Sequence, residues 1–317
     1  MKLVIQIPCF NEEDQLKRTV CDLPTSIPGV DQIVILVVDD GSTDRTTEVA
    51  RQLGVHVLSL PAKQGLAGAF IAGVHGSLGR GADIIVNTDG DNQYRGDAIP
   101  LLLAPILAGQ ADLVVGARPI EEIESFSTTK KVLQRIGSWV VRKISGTDVA
   151  DVTSGFRAMT REAALQINVF SRYTYTLETI VQAGRRGLRT ASVPIGVNRA
   201  TRESRLLRSS AQYVWRTSSD LVRILVVYRP FRSFMIPALA LFTVASLVAL
   251  RFVYFFFEGG GEAGHIQSLI LAAILYGLCG IFTAMAFLGD LLAINRRLLE
   301  EMQVDARRAR YNRTIQD

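Results

Sequence analysis

The sequence predicts an α/β domain built on a mostly parallel sheet, followed by an interfacial amphipathic helix and a two-helix transmembrane hairpin. Three observations carry this expectation. Short β-branched runs alternate with helix-length segments over the first two-thirds of the chain, two later stretches are almost free of charge, and arginines crowd around those stretches. With 317 residues the chain is long enough for one large core and an anchor beyond it.

Strands are expected at KLVIQIP (2–8), QIVILVV (32–38), VHVLSL (55–60), DIIVNT (83–88) and DLVVGA (112–117). Such runs belong to strands buried on both faces of a parallel sheet. Loops beyond the carboxyl ends of these strands are where an active site forms. After the first strand come Cys9, Phe10, Asn11 and Glu12, and after the second Asp39, Asp40, Gly41 and Ser42. Ser42 or Thr43 is placed to cap a helix that Asp44 continues. After the fourth strand stand Asp89, Gly90, Asp91, Asn92 and Gln93. Three strand ends carrying carboxylates make one acidic edge, and carboxylates so crowded repel unless a cation lies between them. Further on, helices are expected at 130–144 and 174–186, flanking the segment DVTSGFRA (151–158). Over 206–228, Leu207, Val214, Leu221, Val222, Leu225 and Val226 alternate with Arg208, Arg216 and Arg223. That pattern suits a helix in the membrane interface with arginines towards phosphates, or an ordinary amphipathic helix packed on the domain.

The stretch from Phe234 to Phe257 holds one charge, Arg251, and that from Ile266 to Gly289 holds none. Each can cross a hydrocarbon layer of about 30 Å as a helix. Core helices of soluble domains are rarely apolar on every side over such a length. The link between them, Glu258 to His265, contains two glutamates and no Lys or Arg. Arg216, Arg223, Arg229 and Arg232 precede the first stretch, and Arg296, Arg297, Arg307, Arg308, Arg310 and Arg313 follow the second. Basic flanks stay on the cytoplasmic side, so both chain ends are expected in the cytosol of a multi-pass protein of the cytoplasmic or an equivalent membrane. The expected division is a cytosolic domain over 1–200, a juxtamembrane segment over 201–232, the two spans within 233–295 and a basic cytosolic tail over 296–317. No cleavable signal can be drawn at the N-terminus. Cys9, Cys21 and Cys279 are expected as free thiols, and His56, His75 and His265 are too scattered for a zinc site. Lys plus Arg exceed Asp plus Glu by 35 to 30, and the surplus lies around the spans, which favours anionic lipid head groups over nucleic acid as the partner.

Asp89 and Asp91 are the centre of the chemical argument. Carboxylates at i and i+2 just past a strand can both point at one divalent ion, and Gly90 between them lets the backbone come close. Mg²⁺ or Mn²⁺ held there would bridge diphosphate oxygens and neutralise a leaving group. An acidic turn of this kind is weak alone; its place after the fourth strand, facing Asp39 and Asp40, gives it weight.

IPCFNEE, VVDDGSTD, TDGDNQ and SGFRA, in this order and at these separations, resemble the family-2 glycosyltransferases of the GT-A fold, a Rossmann-like architecture. With a basic stretch and two C-terminal spans, the chain is similar to the branch containing dolichol-phosphate mannose synthases and polyprenyl-phosphate glycosyltransferases. The resemblance implies inverting transfer of a hexose from a UDP- or GDP-linked donor to a polyprenyl phosphate at the cytoplasmic face. It implies that Pro8, Phe10, Asn11 and Glu12 with Asp39 and Asp40 hold nucleobase and ribose, and that Asp89, Asp91 and Gln93 hold metal and diphosphate. Phe10 as core packing and Asp40 as a turn cap remain the alternatives. Lys63, with Gly65 and Gly68, fits the family's glycine-containing loop near the donor, or is a surface lysine. Oligomerisation is also a family tendency, so a homo-oligomer is an expectation.

A polyprenyl phosphate head needs fixed cations near the interface. Arg118, Arg199, Arg202 and Arg205 are the candidates, with Ser154 beside them and Ser204–Arg205 matching a family pair; solvated or lipid-facing arginines are the alternative. Because a phosphate monoester is already ionised at neutral pH, no dedicated base is required. Asp151 is the foremost carboxylate for orienting the acceptor or acting as base, or is structural, and Glu178 is a second. The chain departs from the family in having Cys9–Phe10 where a Tyr often follows the proline, and Gly90 and Asn92 where Ala and Leu are frequent. These changes bear on the donor and leave the reaction type standing.

Three rival functions make different demands on the sequence. A processive polysaccharide synthase needs more spans and a QxxRW sequence, neither of which occurs. A membrane scaffold that binds nucleotide sugars without turnover would be favoured by loss of a metal carboxylate, yet both are present. A dinucleotide oxidoreductase would carry GxGxxG after the first strand, where PCFNEE stands instead.

Overall fold

The computed structural model describes residues 1–119, 128–169, 175–198, 219, 222–258 and 266–313. The chain divides into two compact units, one of residues 1–217 with 302–317 and one of residues 218–301.

The first unit is built on seven strands, β1 (Lys2–Cys9), β2 (Gln32–Asp39), β3 (His56–Ser59), β4 (Ile84–Asn87), β5 (Leu113–Ala117), β6 (Arg157–Thr160) and β7 (Thr190–Pro194). Their order is β3-β2-β1-β4-β6-β5-β7. All pairings are parallel except those of β6, which runs antiparallel to β4 and β5. The five expected strands are therefore present in a mostly parallel sheet, and β2, β1 and β4 are neighbours, so their three acidic ends do share one edge. The helices are α1 (Leu16–Cys21), α2 (Thr46–Gln52), α3 (Leu66–Gly79), α4 (Ile99–Leu107), α5 (Thr128–Ser145), α6 (Arg161–Gln166) and α7 (Thr176–Arg185); α5 and α7 match the expected helices to within two residues. Side chains of β1 alternate between two cores. Leu3, Ile5, Ile7 and Cys9 join one with Leu102 and Phe156, while Val4 joins the other with Phe70 and Tyr175. A strand covered on both faces has no polar face, which is why the runs are largely apolar, with the buried Gln6 of β1 an exception.

Two details differ from expectation. β6 and β7 fell in a segment without strand-like pattern, because β6 is only RAMT and begins with a charged residue. Helix α2 starts at Thr46 rather than at Ser42 or Thr43, with Asp44 Oδ1 accepting the Thr46 N–H at 3.0 Å. Ser42 and Thr43 instead join the loop after β1.

The second unit holds α8 (Pro230–Glu258) and most of α9 (Ile266–Arg313). Both are long and apolar enough to cross a membrane, and both exceed the expected spans of 234–257 and 266–289. They pair antiparallel: Phe231 meets Phe287 at 5.5 Å between ring centroids, Phe234 meets Phe282 at 6.3 Å and Phe242 meets Tyr276 at 5.6 Å. Ser246 and Tyr276 share a hydrogen bond of 3.0 Å. Residues 222–228 are helical; most of the expected interfacial helix, including Arg208 and Arg216, lies outside the described residues.

The last turns of α9 belong to the first unit. Arg307 donates to the carbonyls of Leu165 (3.3 Å) and Ile167 (2.9 Å) and to Asn168 Oδ1. Arg308 pairs with Glu162, and the Tyr311 hydroxyl lies 2.9 Å from His75 Nδ1. Two arginines counted as basic membrane flank are thus committed to protein partners.

Candidate active site

The site forms where β1, β2 and β4 end. Residues 11–13 are zipped to residues 42–46. Asn11, at φ 57°, donates its N–H to Ser42 Oγ at 2.9 Å, and its Oδ1 accepts the Thr43 N–H at 2.8 Å. The Glu12 N–H donates to Thr46 Oγ1 at 2.8 Å. Pro8 lies within β1, level with Val38. Asp39 and Asp40 are buried, and both are engaged with the local backbone. Asp39 accepts from the Ser42 N–H (3.0 Å) and the Thr47 hydroxyl (2.7 Å). Asp40 accepts from the N–H groups of Gln64 (2.6 Å) and Gly65 (2.9 Å). Asp40 thus fixes the glycine loop that opens α3. That loop carries Lys63, exposed, with Nζ 3.4 Å from the Phe10 ring centroid. Phe10 is only part-buried, so it is not a core residue.

Beyond β4, Asp89 and Asp91 lie on a turn closed by Asp91 Oδ1 accepting the Gln93 N–H at 3.1 Å and by Asn92 at φ 57°. A Cβ on Gly90 would stand 2.8 Å from Cys9 Sγ. Cys9 and Gly90, two of the departures from the family pattern, therefore meet: the thiol fills the space that an alanine methyl at 90 would need. Burial, followed by the charge of Asp91, pushes the Asp89 carboxyl up to about 7, against the opposing influence of Arg118 and Arg157. Two carboxylates in this state are relieved by a divalent cation, and an all-oxygen donor set suits Mg²⁺ or Mn²⁺. Among the described residues no three His, Cys, Asp or Glu side chains form a metal cage. Asp89 and Asp91, with Gln93 adjacent, would hold the ion from one side, leaving its other positions to donor and water.

Arg118, at the end of β5, grips Asp151: Nε donates to Oδ2 at 2.6 Å and Nη2 to Oδ1 at 3.1 Å, and Nη2 also reaches Thr153 Oγ1 at 2.8 Å. Asp151 is almost fully buried and also accepts from the Thr153 N–H and hydroxyl. Its oxygens are directed at Arg118 and Thr153. Ser154 is fully buried, its Oγ accepting the Phe156 N–H at 3.3 Å, and it offers no open hydroxyl to an acceptor. Glu178 is buried on α7. Arg199, Arg202, Ser204 and Arg205 lie outside the described residues.

Sequence reasoning missed the buried layer beneath the acidic turn. Arg157 is fully buried and donates to the carbonyls of Thr176 (3.2 Å) and Ser154 and to the Thr179 hydroxyl. The Gly155 N–H donates to the Tyr94 hydroxyl at 3.1 Å. Gly155 and Arg157 lie within the SGFRA motif, but nothing in the sequence marks Tyr94, Asn87 or Tyr175.

Comparison with known proteins agrees with this architecture. Residues 4–167 match the model of glycosyl transferase family 2. An undecaprenyl-phosphate mannosyltransferase of Micrococcus luteus is 33% identical over 218 residues, covering 65% of this chain and 88% of the relative. A polyprenol monophosphomannose synthase of Mycolicibacterium smegmatis is 31% identical, covering 61% and 76%. Among solved structures, glucosyl-3-phosphoglycerate synthase of Mycobacterium tuberculosis, in complex with Mn²⁺, UDP-glucose and phosphoglyceric acid, superposes with a TM-score of 0.55 at 22% identity, covering 71% of this chain and 78% of that one. The acidic edge, its strand order and these likenesses lead to one assignment: the chain belongs to glycosyl transferase family 2 and is a glycosyltransferase.

Proposed function

We propose that this enzyme transfers a hexose from a UDP- or GDP-linked donor to a polyprenyl phosphate at the cytoplasmic face of a membrane, with inversion and with help from a divalent cation. The observation that carries the reading is the convergence of the acidic turn and the Arg118–Asp151 pair. Gly155 lies against the Asp89 carboxylate and is hydrogen-bonded to Tyr94, and the Arg118 charge is felt at Asp89. An anionic acceptor and an anionic leaving group would thus meet between a cation-holding turn and a fixed guanidinium.

In this reading Asp89 and Asp91 hold the metal. When bound, the ion neutralises charge developing on the departing diphosphate. Asp151 and Thr153 hold the Arg118 guanidinium in place, and its charge would meet the acceptor phosphate. One phosphate oxygen attacks the anomeric carbon while the bond from that carbon to the diphosphate oxygen breaks, releasing the nucleoside diphosphate. The acceptor oxygen is already ionised, so no proton is removed, which fits the ion-paired state of Asp151. Lys63 stands near the donor edge and fits a diphosphate contact.

The names of the relatives support a polyprenyl phosphate acceptor, and α8 and α9 support a membrane location. Ile236, Leu239, Leu247 and Leu250 are 69%, 65%, 62% and 64% exposed on α8, a face that water would penalise and lipid would cover. Arg223 and Arg229 before α8 and Arg232 in its first turn, with Arg296 and Arg297 on α9, favour the cytosolic orientation.

The test is detergent-purified protein with Mg²⁺, undecaprenyl phosphate and a panel of nucleotide sugars, followed by nucleoside diphosphate release and lipid-linked sugar, beside Asp91→Ala. Release with one donor, with turnover falling at least a hundredfold in the variant (about 2.7 kcal/mol), supports the reading. Nucleotide binding without release from any donor would replace it with the scaffold reading, and release without lipid-linked sugar would point to another acceptor.

A further inference from the structure

Beneath the acidic turn lies a hydrogen-bonded chain that none of the functional residues above uses. Gln6 Nε2, on β1, donates to Asn87 Oδ1 at 2.9 Å. Asn87 Nδ2, at the end of β4, donates to both the Gly155 carbonyl and the Tyr175 hydroxyl, each at 2.9 Å. The Tyr175 hydroxyl in turn lies within donating distance, 3.3 Å, of the same Gly155 carbonyl. Gln6, Asn87 and Tyr175 are all fully buried. The Tyr175 ring is stacked on Phe70 of α3, with centroids 3.8 Å apart and planes 3° from parallel. Arg157 fixes the other side by joining the Ser154 carbonyl to the Thr176 carbonyl at the start of α7.

This chain ends on the proposed metal carboxylate. A Cβ placed on Gly155 would be 3.1 and 3.2 Å from the two Asp89 oxygens and 2.9 Å from the Tyr175 hydroxyl. The Gly155 backbone is therefore the surface on which the Asp89 carboxylate rests, and Tyr175 and Asn87 hold that surface in place. Apolar packing would need no such arrangement: a phenylalanine at 175 would stack on Phe70 equally well, whereas the hydroxyl adds hydrogen bonds to Asn87 and Gly155.

We propose that Tyr175 is a positioning residue for the metal-holding turn, acting through Asn87 and the Gly155 peptide to set the angle at which Asp89 faces the cation. The inference rests on the reading of Asp89 and Asp91 as metal-holding. A carboxylate must present its oxygens within a few tenths of an ångström of the ideal distance to bind a hard cation well, and residues behind the ligands govern that geometry.

The test titrates purified wild-type protein, Tyr175→Phe, Gly155→Ala and Asp91→Ala with Mn²⁺, read by the loss of the free-ion electron paramagnetic resonance signal, without nucleotide and with UDP or GDP. The expected result is an Mn²⁺ dissociation constant raised about tenfold in Tyr175→Phe, the equivalent of about 1.4 kcal/mol, with an unchanged melting temperature and unchanged metal-free nucleotide binding. Gly155→Ala, which intrudes on Asp89 directly, is expected to weaken Mn²⁺ binding further. Wild-type affinity in Tyr175→Phe would overturn the positioning role alone. Wild-type protein that binds Mn²⁺ no better than Asp91→Ala would overturn the metal reading and the positioning role together.

Discussion

With its pKa raised to about 7, Asp89 keeps a proton in the folded protein that an unfolded aspartate, titrating near 3.9, has already lost. Between about pH 4 and 7 the folded state binds more protons than the unfolded state, so the metal-free protein loses stability as pH rises through that window. A cation replaces the proton, and the two effects oppose each other. Mn²⁺ is therefore expected to raise the melting temperature more at pH 8 than at pH 6, and its dissociation constant to climb by roughly tenfold per unit below pH 7. Calorimetric titration across this range checks it, and a flat profile would mean that Asp89 is not a ligand. Residue types at the site were legible because carboxylates after strand ends have few other reasons to cluster. The pairing of Cys9 with Gly90 was not legible, because the residues are distant in sequence and meet only once β1 and β4 are neighbours.

At the scale of elements, the hydrophobic runs announced five strands and two long helices. β6 was hidden since Arg157 heads it, and its burial is tolerable only because three partners wait on α7 and the preceding turn. Helices α8 and α9 follow from composition alone, and their antiparallel pairing from aromatic contacts. A lysine at Leu247, midway along α8, faces outward and costs about 2.5–3.5 kcal/mol for insertion at the centre of a bilayer. Leu247→Lys is expected to shift the protein from the membrane pellet to the soluble or aggregated fraction after alkaline carbonate extraction. Retention in the pellet would argue against α8 as a span.

At the scale of the whole molecule, the end of α9 is part of the catalytic unit. His75 is held down to about 4 by burial, with Arg307 and Arg310 adding to it, so it is neutral when Tyr311 is docked. An unfolded histidine titrates near 6.5. The stability linked to neutral His75 is complete above about pH 6.5 and is lost as pH falls towards 4. Deleting residues 302–317 is expected to lower the melting temperature of the catalytic unit by roughly 5 °C, about the effect of 1–2 kcal/mol in a domain of this size. The same deletion is expected to reduce the loss of stability between pH 6.5 and 4, since His75 would then be open to water. An unchanged melting curve would mean that the docking adds nothing to stability.

The fold class, the acidic edge and the two apolar helices can be read from the chain without its coordinates, because each depends on local residue type repeated with the period of a strand or a helix. Only in the folded chain does Asp40 cap the α3 loop, Asp151 pair with Arg118, Tyr175 and Gly155 lie behind Asp89, and the arginines at 307 and 308 bind protein. Each of these joins residues remote in the chain, and only the packing of β4, β6 and α7 into one core brings them within hydrogen-bonding reach.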